Sequence, residues 1–156
     1  MRDPDEFDLE EIAAALEDQS AYDHRWLIDP ASGEVLLWTA DGGIDGKTPV
    51  DLEELDLVLI DPAPSWVWYR DMADFADLLS DERAGRRLRR AIDGRGAFRR
   101  FRSELYEEYP RLVSVWQGFH DARAVRRAID FLADNELIAK DAADRVRAKH
   151  LDPAVP

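Results

Sequence analysis

Nine arginines fall within the twenty positions from 83 to 102 (Arg83, Arg86, Arg87, Arg89, Arg90, Arg95, Arg99, Arg100 and Arg102), against one acid, Asp93. A guanidinium stays protonated at any working pH and offers a planar fork of N–H donors that matches carboxylate or phosphate oxygens two at a time. The chemistry within reach of such a run is anion recognition rather than bond making. Inside it, Gly94-Arg95-Gly96-Ala97-Phe98-Arg99 has the look of a phosphate-cradling glycine loop. It follows a helical pattern instead of a strand and lacks the third glycine, which rejects a dinucleotide site. Two glycines leading into a helix still set free backbone N–H groups beside Arg95, Arg99 and Arg100, an arrangement suited to an anion.

Three occupants of this segment follow from its chemistry. The arginines can pair with carboxylates of their own chain, each exposed pair contributing about 0–1 kcal/mol. They can meet an acidic protein partner or a second copy, since arginine is enriched at interfaces. They can also grip nucleic-acid phosphates, for which Arg95, Arg99 and Arg102, at i, i+4 and i+7, form one cationic stripe. Arg86, Arg90, Arg95, Arg99, Arg100 and Arg102 are the residues assigned to anion or partner contact. Phe98 and Phe101 are of a type that stacks on bases, but their helical spacing with Leu105 assigns them to a core. Trp66, Trp68 and Trp116 read first as core or rim packing.

No other constellation carries a reaction. His24, His120 and His150 are too scattered for a metal pair on one helical turn, and no nucleophile accompanies His24 or His120 in the sequence. Asp41-Gly-Gly-Ile-Asp45-Gly46 has acids at the first and fifth positions of a calcium loop and glycine at the sixth. Gly43 and Leu52 stand where its third and twelfth ligands belong, so an acidic surface loop is the reading. Adjacent acids such as Glu53-Glu54 and Asp81-Glu82 are expected at this acid content. No catalytic residue, metal ligand or cofactor is assigned.

The chain has 156 residues, 34 acids against 21 Lys and Arg, and a net charge of −13. That balance disfavours nucleic acid and anionic membrane as whole-molecule partners, so only a local patch could bind them. The charge is segregated: residues 1–82 hold 23 acids and 4 bases, residues 83–156 hold 11 acids and 17 bases. Zero cysteines exclude disulfides, thiolate catalysis and sulfur-ligated metals, and fit a reducing cytoplasm. The acidic N-terminus and the lack of a long apolar run read as a soluble, unexported chain.

The elements that must carry the arginines follow from periodicity. Leu9, Ile12, Ala13 and Leu16 predict a short helix capped by Asp8. Tyr22, His24, Trp26 and Ile28 alternate with polar residues, and after a five-residue loop, Asp29 to Gly33, comes the β-rich run Val35 to Thr39, predicting a hairpin. Leu57 to Ile60 predict a third strand. Beyond Pro64 the period becomes helical: Trp68, Met72, Phe75 and Leu79 behind Ser65 as cap, then Ala84, Leu88 and Ile92 up to Gly94, then Phe98, Phe101 and Leu105. Leu112, Trp116 and Phe119 follow Pro110, and Val125, Ile129 and Leu132 repeat their spacing. Residues 140–150 are helix-compatible, and Asp152 to Pro156 are expected to fray.

Gly94-Arg95-Gly96-Ala97-Phe98-Arg99-Arg100-Phe101, followed by Leu105, Trp116 and Phe119, resembles an uncharacterised bacterial protein family, number 158 in the UPF series. The likeness is strongest from Trp68 to Leu137 and extends to Met72, Phe75 and the Asp29 to Val35 turn and strand. Arg102 stands where that family often has lysine, the position after Trp116 lacks the family's aromatic, and Phe131-Leu132 replaces a Trp-Leu pair. What the resemblance implies is a small cytoplasmic protein with no established activity and no catalytic residues to transfer.

The resulting expectation is one α+β domain over residues 1–156. An acidic helix and small antiparallel sheet (1–64) pack on a helical part carrying the arginine hairpin (65–139), followed by a tail (140–156). Its expected role is a non-enzymatic, cytoplasmic binding or regulatory module that engages an acidic protein surface or itself. Nucleic-acid binding through the same patch is the alternative, a small histidine–carboxylate enzyme the second alternative, and no membrane partner is expected.

Overall fold

The computed structural model describes residues 1–20 and 23–156. Tyr22, which the alternation assigns to the first strand, lies outside the described residues. A 3₁₀ turn at Pro4–Glu6 is followed by helix α1 (Leu9–Glu17), strands β1 (His24–Ile28), β2 (Val35–Thr39) and β3 (Val58–Ile60), and helices α2 (Ser65–Leu78), α3 (Glu82–Ala91), α4 (Ala97–Glu108), α5 (Val113–Asp134) and α6 (Lys140–Arg147). The architecture is α+β, as the change of period beyond Pro64 predicts. Among the described residues no helix is long and apolar enough to cross a membrane. The chain forms two compact units, each drawn from two segments: Met1–Ala63 with Ala124–His150, and Pro64–Arg123 with Leu151–Pro156.

In the first unit Asp8 caps α1, its carboxylate accepting the Glu11 N–H at 3.1 Å, which satisfies one of the donors that a helix start leaves unpaired. The sheet is antiparallel with order β2-β1-β3, so β1 is central. Its register sets Trp26 opposite Leu37 and Ile60, and Ile28 opposite Val35 and Val58. Because side chains alternate, Trp26 and Ile28 share one face, and that face packs with Ile12, Leu16, Ile60, Ile129 and Leu132 in one buried cluster. Leu27, on the other face, is equally buried. Six residues, 29–34, separate β1 from β2, one more than the five-residue loop expected, with the Asp29 N–H donating to Glu34 O at 2.9 Å just beyond the strand ends.

The second unit is helical. Trp68, Met72, Phe75 and Leu79 are all buried, as their spacing requires. Ser65 is not the cap of α2: Pro64, at φ −66° and ψ 150°, already turns the chain, so Ser65 becomes the first helical residue. Phe75 is the hub, its ring centroid 5.3 Å from Trp116, 5.5 Å from Phe119 and 6.4 Å from Phe101. Two aromatics assigned to the core or its rim lie outside it. Phe98 is 48% exposed because the buried row of α4 is Ala97, Phe101 and Leu105, at i, i+4 and i+8, with Ala97 taking the place that the heptad reading gave to Phe98. Trp66 is 61% exposed, with the Arg70 guanidinium 5.9 Å from its ring centre.

The chain end is a second correction. Instead of fraying, residues 151–156 are held on this unit: Pro156 O accepts the Ser80 N–H at 3.0 Å, Val155 packs on the core, and Asp152 meets Arg123 at 3.2 Å. Arg123 is the cationic centre of this attachment. It also bonds Asp74 at 2.6 Å and the buried Asp71 at 3.2 Å, and lies 4.4 Å from the Phe119 ring centre. Residues 29 to 52 positions apart converge there, beyond the reach of local patterning. Removing one partner of a buried pair leaves an uncompensated charge at a cost of about 3–5 kcal/mol. We therefore expect Arg123→Met to lower urea-unfolding stability by about that amount; a change no larger than that of Arg145→Met, an exposed pair, would contradict it.

Candidate functional site

The arginine-rich segment folds as two consecutive helices in contact, α3 and α4. Asp81 starts α3 by accepting the Ala84 N–H at 3.1 Å, and its first turn carries Glu82, whose charge suits the helix N-terminus. Gly85 allows α3 to approach α2, since a Cβ there would stand 2.8 Å from Ala76 O. Ala84 and Leu88 are buried, which turns Arg83, Arg86 and Arg90, at i, i+3 and i+7, to the outer face.

Between the helices, Gly96 holds the N-cap position of α4 at φ +75°, a left-handed conformation that L side chains rarely adopt. Arg100 reaches back from the first turn of α4 and donates to three carbonyls, through Nε to Ala91 O at 2.8 Å and through its terminal nitrogens to Asp93 O and Arg95 O. The last carbonyls of a helix lack intrahelical partners and carry partial negative charge, so a guanidinium placed on them both caps α3 and fixes the turn. Its guanidinium faces the turn carbonyls while the residue stays exposed.

The other arginines divide into two sets. Arg87 meets Glu104 at 2.6 Å and Glu108 at 3.8 Å, tying α3 to α4, while Arg89 stands 3.8 Å from Asp77 and Arg86 3.8 Å from Glu82. Arg102 covers the Tyr106 ring at 5.3 Å. Arg83, Arg90, Arg95 and Arg99 are exposed and, among the described residues, make no ion pair. Of the six assigned residues, the hairpin thus presents Arg90, Arg95 and Arg99 free, Arg86 and Arg102 in loose exposed contacts, and Arg100 engaged. Sequence reasoning missed two companions, exposed Phe98 and Tyr106 (48% and 42%), which with Arg102 fall at i, i+4 and i+8 on α4. Exposed aromatics alternating with guanidiniums make a surface that can bind both charge and flat apolar groups.

The histidines are placed elsewhere. His120 lies against Trp116 and Trp68, with centroids 5.5 and 6.2 Å away. His24 Nε2 donates to Asp18 at 2.7 Å, and its Nδ1 lies 3.3 Å from Asp23. Asp18 also accepts from Trp26 Nε1 at 2.7 Å and from Ser20 Oγ at 2.5 Å. His24, then Ser20 and Trp26, hold the Asp18 carboxyl well below the usual carboxylate range, and Asp18, then Asp23, push the His24 imidazole up. The set contains a serine, a histidine and an aspartate, but the serine donates to the carboxylate and both ring nitrogens face carboxylates. No ring nitrogen is left to take a proton from a nucleophile, so the order needed for acyl transfer is absent from this cluster. Its work is to staple the end of α1 to β1. Among the described residues no group of three or more His, Cys, Asp or Glu is placed to hold a metal ion. In the 41–46 loop the Asp45 carboxylate accepts the N–H groups of Lys47 and Thr48, both at 2.8 Å.

The sequence model of an uncharacterised protein family, UPF0158, matches residues 6–152. The UPF0158 protein PA5073 of Pseudomonas aeruginosa is 33% identical over 137 residues, which cover 86% of each chain. No solved structure matches the chain.

The staple sets a pH dependence. A histidine whose folded pKa lies above its ordinary 6.5 contributes stability that is full below that value and lost as pH rises through the folded one. Asp18, depressed on folding, contributes above its ordinary 3.8 and loses this as pH falls through its folded value. Melting temperature should therefore decline as pH rises above 6.5 in the unaltered protein and show no such step in His24→Gln; superimposable pH profiles of the two would refute the staple.

Proposed function

The chain belongs to the uncharacterised protein family UPF0158, and from that premise we propose that it is a non-enzymatic binding module whose α3–α4 hairpin engages an acidic protein surface in the cytoplasm. The observation that carries the reading is the set of exposed guanidiniums on Arg83, Arg90, Arg95 and Arg99, which have no carboxylate partner among the described residues. Crowding like charges raises the free energy of the folded chain, and an anionic surface relieves it on binding while steering the encounter. Phe98 and Tyr106 add apolar contact of the kind that dominates interface energetics. The hairpin is a prepared surface: Arg100 fixes its turn and Arg87 bridges its helices, so little ordering is required at the moment of binding. The cytoplasmic placement accords with a composition lacking cysteine.

Nucleic acid is the second reading, favoured by the same exposed Phe98 and Tyr106, since aromatics interleaved with arginines can stack on unpaired bases. The net charge of −13 weighs against it.

Titration of a fluorescent poly-glutamate peptide at low salt tests the first reading. Arg95→Glu, Arg99→Glu and Arg102→Glu together should weaken binding by about tenfold or more, or ~1.4 kcal/mol, with unchanged circular dichroism. Equal affinity of the reversed protein would remove the hairpin from the contact. In parallel, a labelled single-stranded oligonucleotide should show no retardation at low salt; retardation that weakens steeply with added salt would favour the second reading instead.

A further inference from the structure

We infer that the partner of the hairpin is a second copy of this chain, which offers the acidic turn at residues 51–56. The inference rests on the anion-binding reading above and deepens it by committing to one occupant. Asp51, Glu53, Glu54 and Asp56 are exposed, lie within six positions, and make no ion pair among the described residues. Four unpaired carboxylates on one segment thus answer four unpaired guanidiniums on another.

The acidic turn is a shaped surface. Its centre is the 3₁₀ turn Leu52–Glu54, with Leu52 and Leu55 half-buried, and the Glu54 N–H donates to Asp51 O at 3.0 Å. The segment leading into it is tied to the sheet by the Trp38 indole, which donates to Val50 O at 2.8 Å. Beside the carboxylates is a shallow concavity lined by Trp38, Ala40, Pro49, Val50, Asp51 and Glu54. Trp38, Pro49 and Val50 share its lining with the carboxylates of Asp51 and Glu54, a mixed surface of the kind that exposed Phe98 with its flanking Arg95 and Arg99 would meet. The two surfaces therefore complement each other in charge.

The two surfaces are different, so the hairpin of one copy takes the turn of another, and a pair that does not exchange both contacts reciprocally keeps one free hairpin and one free turn. Such contacts extend into chains or close into rings. Pairing of hairpin with hairpin is opposed by like charge.

Sedimentation of the whole protein provides the test. At about 50 mM salt the mass should grow with protein concentration, and at about 500 mM, where the screening length shrinks severalfold, it should return to the monomer. Arg95→Gln with Arg99→Gln, and separately Glu53→Gln with Glu54→Gln, should each stay monomeric at low salt while keeping the unaltered near-ultraviolet dichroism. Mixed in equal amounts, they should form a one-to-one dimer that grows no further, because one retains only the turn and the other only the hairpin. A protein that is monomeric at low salt, or a mixture that does not dimerise, overturns the inference. If poly-glutamate still binds in that case, the hairpin reading survives and only the second copy is lost; if poly-glutamate fails as well, both fall.

Discussion

Nine guanidinium groups in twenty residues repel one another, and the helical hairpin has to disperse that repulsion. Three devices do so. Arg87 and Arg89 are brought to Glu104 and Asp77, carboxylates of the neighbouring helices. Arg100 is turned onto carbonyls at the end of α3, where a cation is favourable, which closes the connection while the residue stays exposed. The remainder are held on the outer side by the burial of Ala84 and Leu88 in α3 and of Ala97, Phe101 and Leu105 in α4. The apolar rows thus decide which charges reach solvent, and the exposed guanidinium surface is a by-product of core packing.

This division explains what could be read from the residues and what could not. Periods of two and 3.6 report which residues point the same way, so the hairpin of β1 and β2, the stripe Trp68, Met72, Phe75 and Leu79, and the cap at Asp8 were all legible. A period does not report where a neighbour ends. Phe98 and Ala97 are both compatible with the buried row of α4, and only the position of Phe75 and Trp116 decides for Ala97, leaving the phenylalanine outside. The same limit applies to the site. The six assigned arginines could be recognised from their density, but the inward turn of Arg100 depends on the path of residues 91–96, and the carboxylate at Asp18 that fixes His24 carries no signal in the local pattern.

The two arginine environments in the helical unit differ in kind. Arg123 is enclosed by Asp71, Asp74 and Asp152 over the Phe119 ring, and its contacts hold the terminal segment in place. Desolvated charges in such a cage are costly to separate, which makes them structural. Arg83, Arg90, Arg95 and Arg99 of the hairpin are exposed and, among the described residues, make no ion pair, so a partner can replace water there without first breaking an internal bond. Position in the fold, more than residue type, separates the guanidinium that builds the protein from those that meet its surroundings.

The interleaving of the two units also governs how this protein can be dissected. Helix α5 contributes residues 113–123 to one unit and 124–134 to the other, and residues 151–156 rejoin the first of these after the second has been completed. A fragment ending at Ala63 would lack Ala128, Ile129, Leu132, Ile138 and Ala143, and with them a large part of its own interior. No single cut of the polypeptide yields either unit whole, so deletion mapping would report loss of folding wherever it was meant to report loss of function. Side-chain substitution on intact protein is the route by which roles can be assigned here.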